Sequence, residues 1–219
     1  MLEAAKSLLL ILSALFPIVN PLGGSPIFFS QTADYSHETR KALALRIARN
    51  SFFLLVGSYL IGTHVLAFFG ISIPVVQVGG GLVVTSTGWA MLKRRDDEDR
   101  KEVRSNAQPQ DPFRQAFYPF TLPLTVGPGS ISIAITLGAN AHHNGFDPWT
   151  VLAALVGSAV MAGSIYVCYG FSDRLARFLG PSAMTVIMRL SSFLLVCIGV
   201  QILWNGVSAL LASVPIHVR

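Results

Sequence analysis

Asn20-Pro21-Leu22-Gly23-Gly24-Ser25-Pro26 lies inside an apolar run covering residues 7–30, and Pro123-Leu124-Thr125-Val126-Gly127-Pro128-Gly129-Ser130 lies inside another covering 116–138. Runs of about 20 apolar residues are long enough to cross a bilayer as helices. Each of these two carries helix breakers near its middle. Proline has no N–H to donate and its ring collides with the preceding turn. Adjacent glycines add backbone freedom. In hydrocarbon an unpaired backbone group is costly, so broken helix survives only when buried in protein or beside a wet cavity.

Four further apolar windows have spanning length: 47–69, 73–92, 149–171 and 183–211. The composition agrees. Of 219 residues, 52% are hydrophobic and 12% charged, with a mean hydropathy of +0.58. A soluble domain carries about 25% charged residues. The shortage excludes most soluble enzymes and disordered regulators. The expected fold class is an all-α integral membrane protein with six transmembrane helices. The longest polar segment, 93–115, is charged and holds Pro109 and Pro112. It reads as a loop between a first three-helix unit, 1–92, and a second, 116–219. The N-terminal run shows no small-x-small cleavage pattern and continues into Phe16-Pro17, so it is expected to stay as the first span.

The basic residues sort by side. Arg40, Lys41, Arg46 and Arg49, then Lys93, Arg94, Arg95, Arg100, Lys101, Arg104 and Arg114, then Arg174 and Arg177 fall on one side of six spans. Lys6 and Arg219 fall on the other, and Arg189 lies within the sixth. The positive-inside rule places the basic loops in the cytoplasm and both termini outside. A net charge of +5 held in membrane-flanking loops suits anionic lipid and argues against nucleic acid.

The two interruptions match at a spacing of 107 residues, which pairs Pro21 with Pro128. Spans three and six match at about 111, which pairs Gly88 with Gly199. Three spans per half is an odd number, so the halves must run in opposite senses, the layout of inverted-repeat transporters. Helices 1 and 4 are then expected to be broken near the midplane. A half-helix N-terminus presents N–H groups and a partial positive charge, which suits the carboxylate of a small zwitterion. Freed carbonyls suit an ammonium group or a cation. The candidate substrate-binding residues are Asn20, Pro21, Gly23, Gly24 and Ser25 at the first break, and Thr125, Gly127, Pro128, Gly129 and Ser130 at the second. The simpler alternative is that Pro and Gly only kink packed helices.

The segments Asn20-Pro-Leu-Gly-Gly-Ser-Pro-Ile-Phe and Pro123-Leu-Thr-Val-Gly-Pro-Gly-Ser-Ile resemble the signature segments of the MarC family. These are inner-membrane proteins of bacteria and archaea, and the resemblance extends over essentially the whole chain. It implies a transporter of small neutral amino acids, with glycine and alanine as the expected substrates. The family often carries an Arg ahead of the Gly-Gly in span three. This chain has Gln77 there, which bears on specificity or coupling.

All 11 acidic residues lie in loops or at span ends, so no carboxylate relay crosses the membrane. Arg189 either attracts a carboxylate in the cavity or snorkels to the interface. His64, late in span two, is the candidate for carrying a coupling proton. Gln77 and Asn205 suit a solute or interhelical hydrogen bonds. The adjacent pair His142 and His143 is a weak metal signal, and Cys168 and Cys197 sit in apolar runs that suit neither a disulfide nor a metal. The small residues of span five read as a packing face.

The expected function is secondary transport of small neutral amino acids by alternating access, with one half rocking against the other. No nucleotide-binding loop is present, so a proton or sodium gradient is the expected driver. No cofactor or metal is called for, and no convergent set of nucleophile, acid and base suggests an enzyme. The alternative is a passive channel or an exporter of another small solute. The sequence leaves the exact substrate, direction, coupling ion and oligomeric state open.

Overall fold

The computed structural model describes residues 2–93, 113–143 and 148–213, so most of the charged loop lies outside it. Every regular element among the described residues is helical. In chain order these are α1 (Leu2–Val19), α2 (Pro21–Gln31), α3 (His37–Phe68), α4 (Ile73–Lys93), a 3-10 turn (Arg114–Ala116), a π-type segment (Phe117–Thr125), α5 (Pro128–His143), α6 (Pro148–Gly170) and α7 (Ser172–Ala212). Five helices are long and apolar enough to span a membrane, with Lys6–Gln31 counted as one. The pair Arg114–Thr125 and Pro128–Ala141, bent by 71°, raises the number to as many as six.

Local chemistry sets the boundaries. Helix α3 starts at His37, well before the apolar window, because Ser36 caps it and accepts from the Thr39 N–H at 3.2 Å. Its charged first turns stand ahead of the apolar stretch. In α7, Gly180 takes φ +73°, so the apolar span begins only at Ser182.

The stretch before Pro128 is not the regular helix the sequence led us to expect. Tyr118 (φ −126°, ψ 125°) and Leu122 (φ −109°, ψ 129°) are extended. Each precedes a proline, Pro119 or Pro123, and the proline ring drives its predecessor out of the α region. Two threonines repair part of the bonding. Thr121 Oγ1 donates to Ala116 O at 2.6 Å, and Thr125 Oγ1 donates to Phe120 O at 2.7 Å.

One buried cluster is made by only some of the helices, while Val84 of α4 and Met184, Leu195 and Ile202 of α7 are buried outside it. The cluster draws on α1, α2, α3, the Ala116–Val126 stretch, α5 and α6, and includes Phe28, Leu43, Ile47, Phe120, Met161 and Tyr169. None of its members comes from α4 or α7. Those two pack antiparallel on each other through glycines that let the backbones approach. Gly81 faces Gly199 O and Gly88 faces Ser192 O; Gly199 faces the Thr85 N–H and Gly88 faces the Val196 N–H. Large apolar side chains such as Leu9 (67% exposed), Phe53 (64%) and Phe193 (54%) point outward. That is the surface a bilayer covers and water does not.

At the end carrying the basic residues, Arg40 is buried and fixes the α2–α3 turn. Its guanidinium donates to Thr32 Oγ1 (3.1 Å), Thr32 O (2.7 Å) and Tyr35 O (3.1 Å), and lies 5.1 Å from the Phe29 ring centroid. Nearby, Asp173 Oδ2 accepts from Arg177 Nη2 at 3.2 Å and lies 3.2 Å from His37 Nδ1, which brings that turn against the start of α7. Burial opposes ionisation of Asp173, but the Arg174 N–H and the charges of His37, Arg177 and Arg40 outweigh it and hold the carboxyl below its ordinary value. Arg40→Met should lower thermal stability in detergent by about 2–4 kcal/mol, because it strands buried acceptors. Arg40→Lys should recover only part of that, since an ammonium lacks the fork. Unfolding monitored by tryptophan fluorescence checks both.

Candidate functional site

The first interruption turns on a single residue. Asn20 adopts a left-handed conformation (φ 46°, ψ 60°), which Asn tolerates better than most residues. Its side chain then accepts from the Gly23 N–H at 3.1 Å and caps α2, whose first residue is Pro21. Gly23 is tightly confined, for a Cβ there would lie 2.7 Å from Ser191 Cβ. The second interruption is Val126–Gly127, followed by α5 with Pro128 as its first residue. The first backbone bond of α5 runs from Ile131 N to Gly127 O at 3.1 Å. The Gly129 and Ser130 N–H groups lie ahead of it, at the open start of the helix.

Between the two interruptions lies a cavity of about 440 Å3. Asn20, Gly24, Thr125, Gly127, Pro128, Gly129 and Ser130 all line it. The facing wall comes from α4, with Val83, Val84, Ser86 and Thr87, and from Leu195 of α7. The lining continues to Gln31, Met91 and Pro119, at the basic-loop ends of their spans. Among the described residues, no Asp, Glu, Lys, Arg or His lines it. Thr87 donates its hydrogen to Val83 O (2.8 Å) and Ser130 to Gly127 O (2.9 Å), which leaves both oxygens as acceptors.

The other predicted residues lie elsewhere. Pro21, Gly23 and Ser25 are buried in packing outside the lining, and Ser25 Oγ donates to Cys168 O at 2.8 Å. Gln77 bonds across to α5, with Nε2 3.4 Å from Thr136 Oγ1. Arg189 is exposed on α7 between the outward-facing Val186 and Leu190. His64 is exposed near the end of α3. The side chains of His142 and His143 lie outside the described residues, among which no cluster of three or more His, Cys, Asp or Glu could hold a metal.

Sequence reasoning missed Tyr169, whose hydroxyl reaches Thr125 Oγ1 at 3.1 Å, and it missed the α4 wall. The available signal was a tyrosine in line with the small residues of α6, which carries Tyr166 and Tyr169, because a buried phenol needs a partner. Glycine also works here as a spacer. A Cβ on Gly129 would collide with Val84 Cγ2, and one on Gly80 would lie 2.7 Å from Ser132 Cβ. Ser132 Oγ donates to Val76 O at 3.1 Å along the same α4–α5 seam.

The model of the family described as MarC family integral membrane protein matches residues 5–211. The chain is similar to inner membrane protein MarC of Salmonella typhimurium (strain LT2), at 31% identity over 94% of this chain and 96% of the relative. It is similar in the same proportions to that of Citrobacter koseri, and at 30% identity to that of Escherichia coli O1:K1. No solved structure matches.

Gly129→Ala should destabilise the protein by about 1–3 kcal/mol through overpacking against Val84. Adding Val84→Ala should restore most of the loss, whereas Gly127→Ala, whose Cβ would meet only Pro123 O at 3.3 Å, should be near neutral. Thermal melts of the single and double variants check this.

Proposed function

This chain belongs to the MarC family of integral membrane proteins, and from that premise we propose that it is a secondary transporter of small neutral amino acids, of the glycine and alanine class. The observation that carries the proposal is the cavity between the two interruptions, whose lining among the described residues holds no charged side chain. A zwitterion has no net charge to be met. Its carboxylate suits the open start of α5 and its ammonium suits the acceptor oxygens of Thr87 and Ser130. The protein works without a cofactor, driven by a proton or sodium gradient, with His64 the candidate for a coupling proton. Both termini lie outside and the basic loops lie in the cytoplasm.

An inverted repeat with paired midplane breaks is part of the proposal. Helices α2 and α5 start at Pro21 and Pro128, 107 residues apart. The α4–α7 contacts are reciprocal: moved on by 111, Gly81, Thr85 and Gly88 become Ser192, Val196 and Gly199, and each contact returns as its mirror. Both regularities support two related halves.

Alternating access requires two bodies, and the packing favours a division other than half against half. Helices α4 and α7 form one body, and the helices sharing the core form the other. The cavity lies on their boundary. It extends toward the basic-loop end, while the α4–α5 seam closes the opposite end through Ser132–Val76 and Gln77–Thr136.

In proteoliposomes, labelled glycine and alanine should show saturable counterflow, and an imposed proton or sodium gradient should accelerate it. Gly127→Leu, which places a side chain in the cavity, should abolish counterflow without loss of folded protein. A flux that does not saturate would favour a channel. For the moving bodies, nitroxides can be placed at Val75, Trp149 and Leu211, all exposed at one end of the bundle. The Val75–Leu211 distance should stay fixed and the Trp149–Leu211 distance should shift when glycine is added. Half-against-half rocking gives the reverse.

A further inference from the structure

Tyr169 is fully buried near the end of α6, which belongs to neither interrupted span. Its hydroxyl nevertheless touches both. Thr125 Oγ1 lies 3.1 Å away. The Thr125 hydrogen is directed to Phe120 O at 2.7 Å, so Tyr169 is the donor and Thr125 the acceptor. On its other side the same hydroxyl lies against Gly24, where any Cβ would collide with it. The ring stacks on Phe28 of α2, with centroids 4.7 Å apart and planes 12° apart, and Phe28 meets Phe120 edge-on at 5.4 Å. Ser25 Oγ adds a bond to the carbonyl of the neighbouring Cys168.

Gly24 and Thr125 are both cavity-lining residues, one from each interrupted span. A single phenol therefore stands behind two walls of the cavity and sets how far apart they are held. Its stacking on Phe28 fixes the ring, so the hydroxyl has little freedom to retreat. We propose that Tyr169 is the positioning residue that sets the size limit for the solute, keeping the cavity to small neutral amino acids. This inference rests on the transporter reading and goes one step beyond it.

Removing the ring opens space behind Gly24 and Thr125, and removing only the hydroxyl releases the strut while keeping the bulk. The test is counterflow of glycine, alanine, valine and leucine in proteoliposomes holding the full chain. Tyr169→Phe should keep the order of preference and lose about three- to tenfold in kcat/KM for each solute, as expected for one hydrogen bond. Tyr169→Val should raise the valine-to-glycine ratio of kcat/KM by about tenfold or more, the scale at which a pocket discriminates by size. Should Tyr169→Val fail to fold, the pair Gly24→Ala and Tyr169→Phe decides the matter. Gly24→Ala alone should lose transport, and Gly24→Ala in the Tyr169→Phe background should regain it, because the oxygen that its Cβ would strike is gone.

An active, folded Tyr169→Val with the wild-type ratio would overturn the size-limit role and leave the transporter reading standing. Failure of Tyr169→Phe to rescue Gly24→Ala would overturn it equally. Absence of counterflow by the unmodified protein with every amino acid would defeat the transporter reading and this inference together.

Discussion

A main chain buried in lipid must find a partner for each N–H and C=O it carries, and proline makes that impossible within a regular helix. Every local feature around the cavity answers this constraint. In span one, Asn20 turns left-handed and caps the helix that restarts at Pro21. In span four, the threonine hydroxyls of the Tyr118-Pro-Phe-Thr and Leu122-Pro-Leu-Thr units take up carbonyls that a straight helix would have bonded, and the chain bends by 71° before restarting at Pro128. The two answers differ. Asn20 closes its own helix start, whereas the start of α5 opens onto the cavity.

The packing around these points is built from close approach more than from apolar bulk. Glycines at 80, 81, 88, 129 and 199 let α4 come against α5 and α7 at backbone distance. Contacts of this kind hold helices firmly in a bilayer, where apolar burial between helices gains little over lipid. The cavity lies along the boundary between the α4–α7 pair and the remaining helices, and two hydrogen bonds, Ser132–Val76 and Gln77–Thr136, hold the α4–α5 seam.

Much of this was legible in the sequence because hydrocarbon imposes simple rules. Span number follows from apolar length, and the restarts at Pro21 and Pro128 follow from proline's preference for the first helical position. Seven of the residues singled out at the interruptions line the cavity. What could not be read depends on which way a helix faces. Arg189 points outward on α7, and Gln77 reaches Thr136 across the seam, because helix rotation is set by tertiary packing and not by the identity of one residue. The π-type segment escaped because apolar content says nothing of backbone angles, although Pro119 and Pro123 carried that information. Tyr169 escaped because its partners are far away in sequence, 44 residues to Thr125.

If the paired interruptions hold a solute-sized, water-reached hollow inside the bilayer, cysteine labelling detects it directly. With Cys168 and Cys197 replaced by alanine, Ser86→Cys on the cavity wall and Phe53→Cys on the outward face can each be exposed to a hydrophilic maleimide in membranes opened to both sides. Labelling should be rapid at 86, slowed by added glycine or alanine, and slight at 53. Labelling at 86 no faster than at 53, or labelling that neither amino acid slows, would contradict such a hollow.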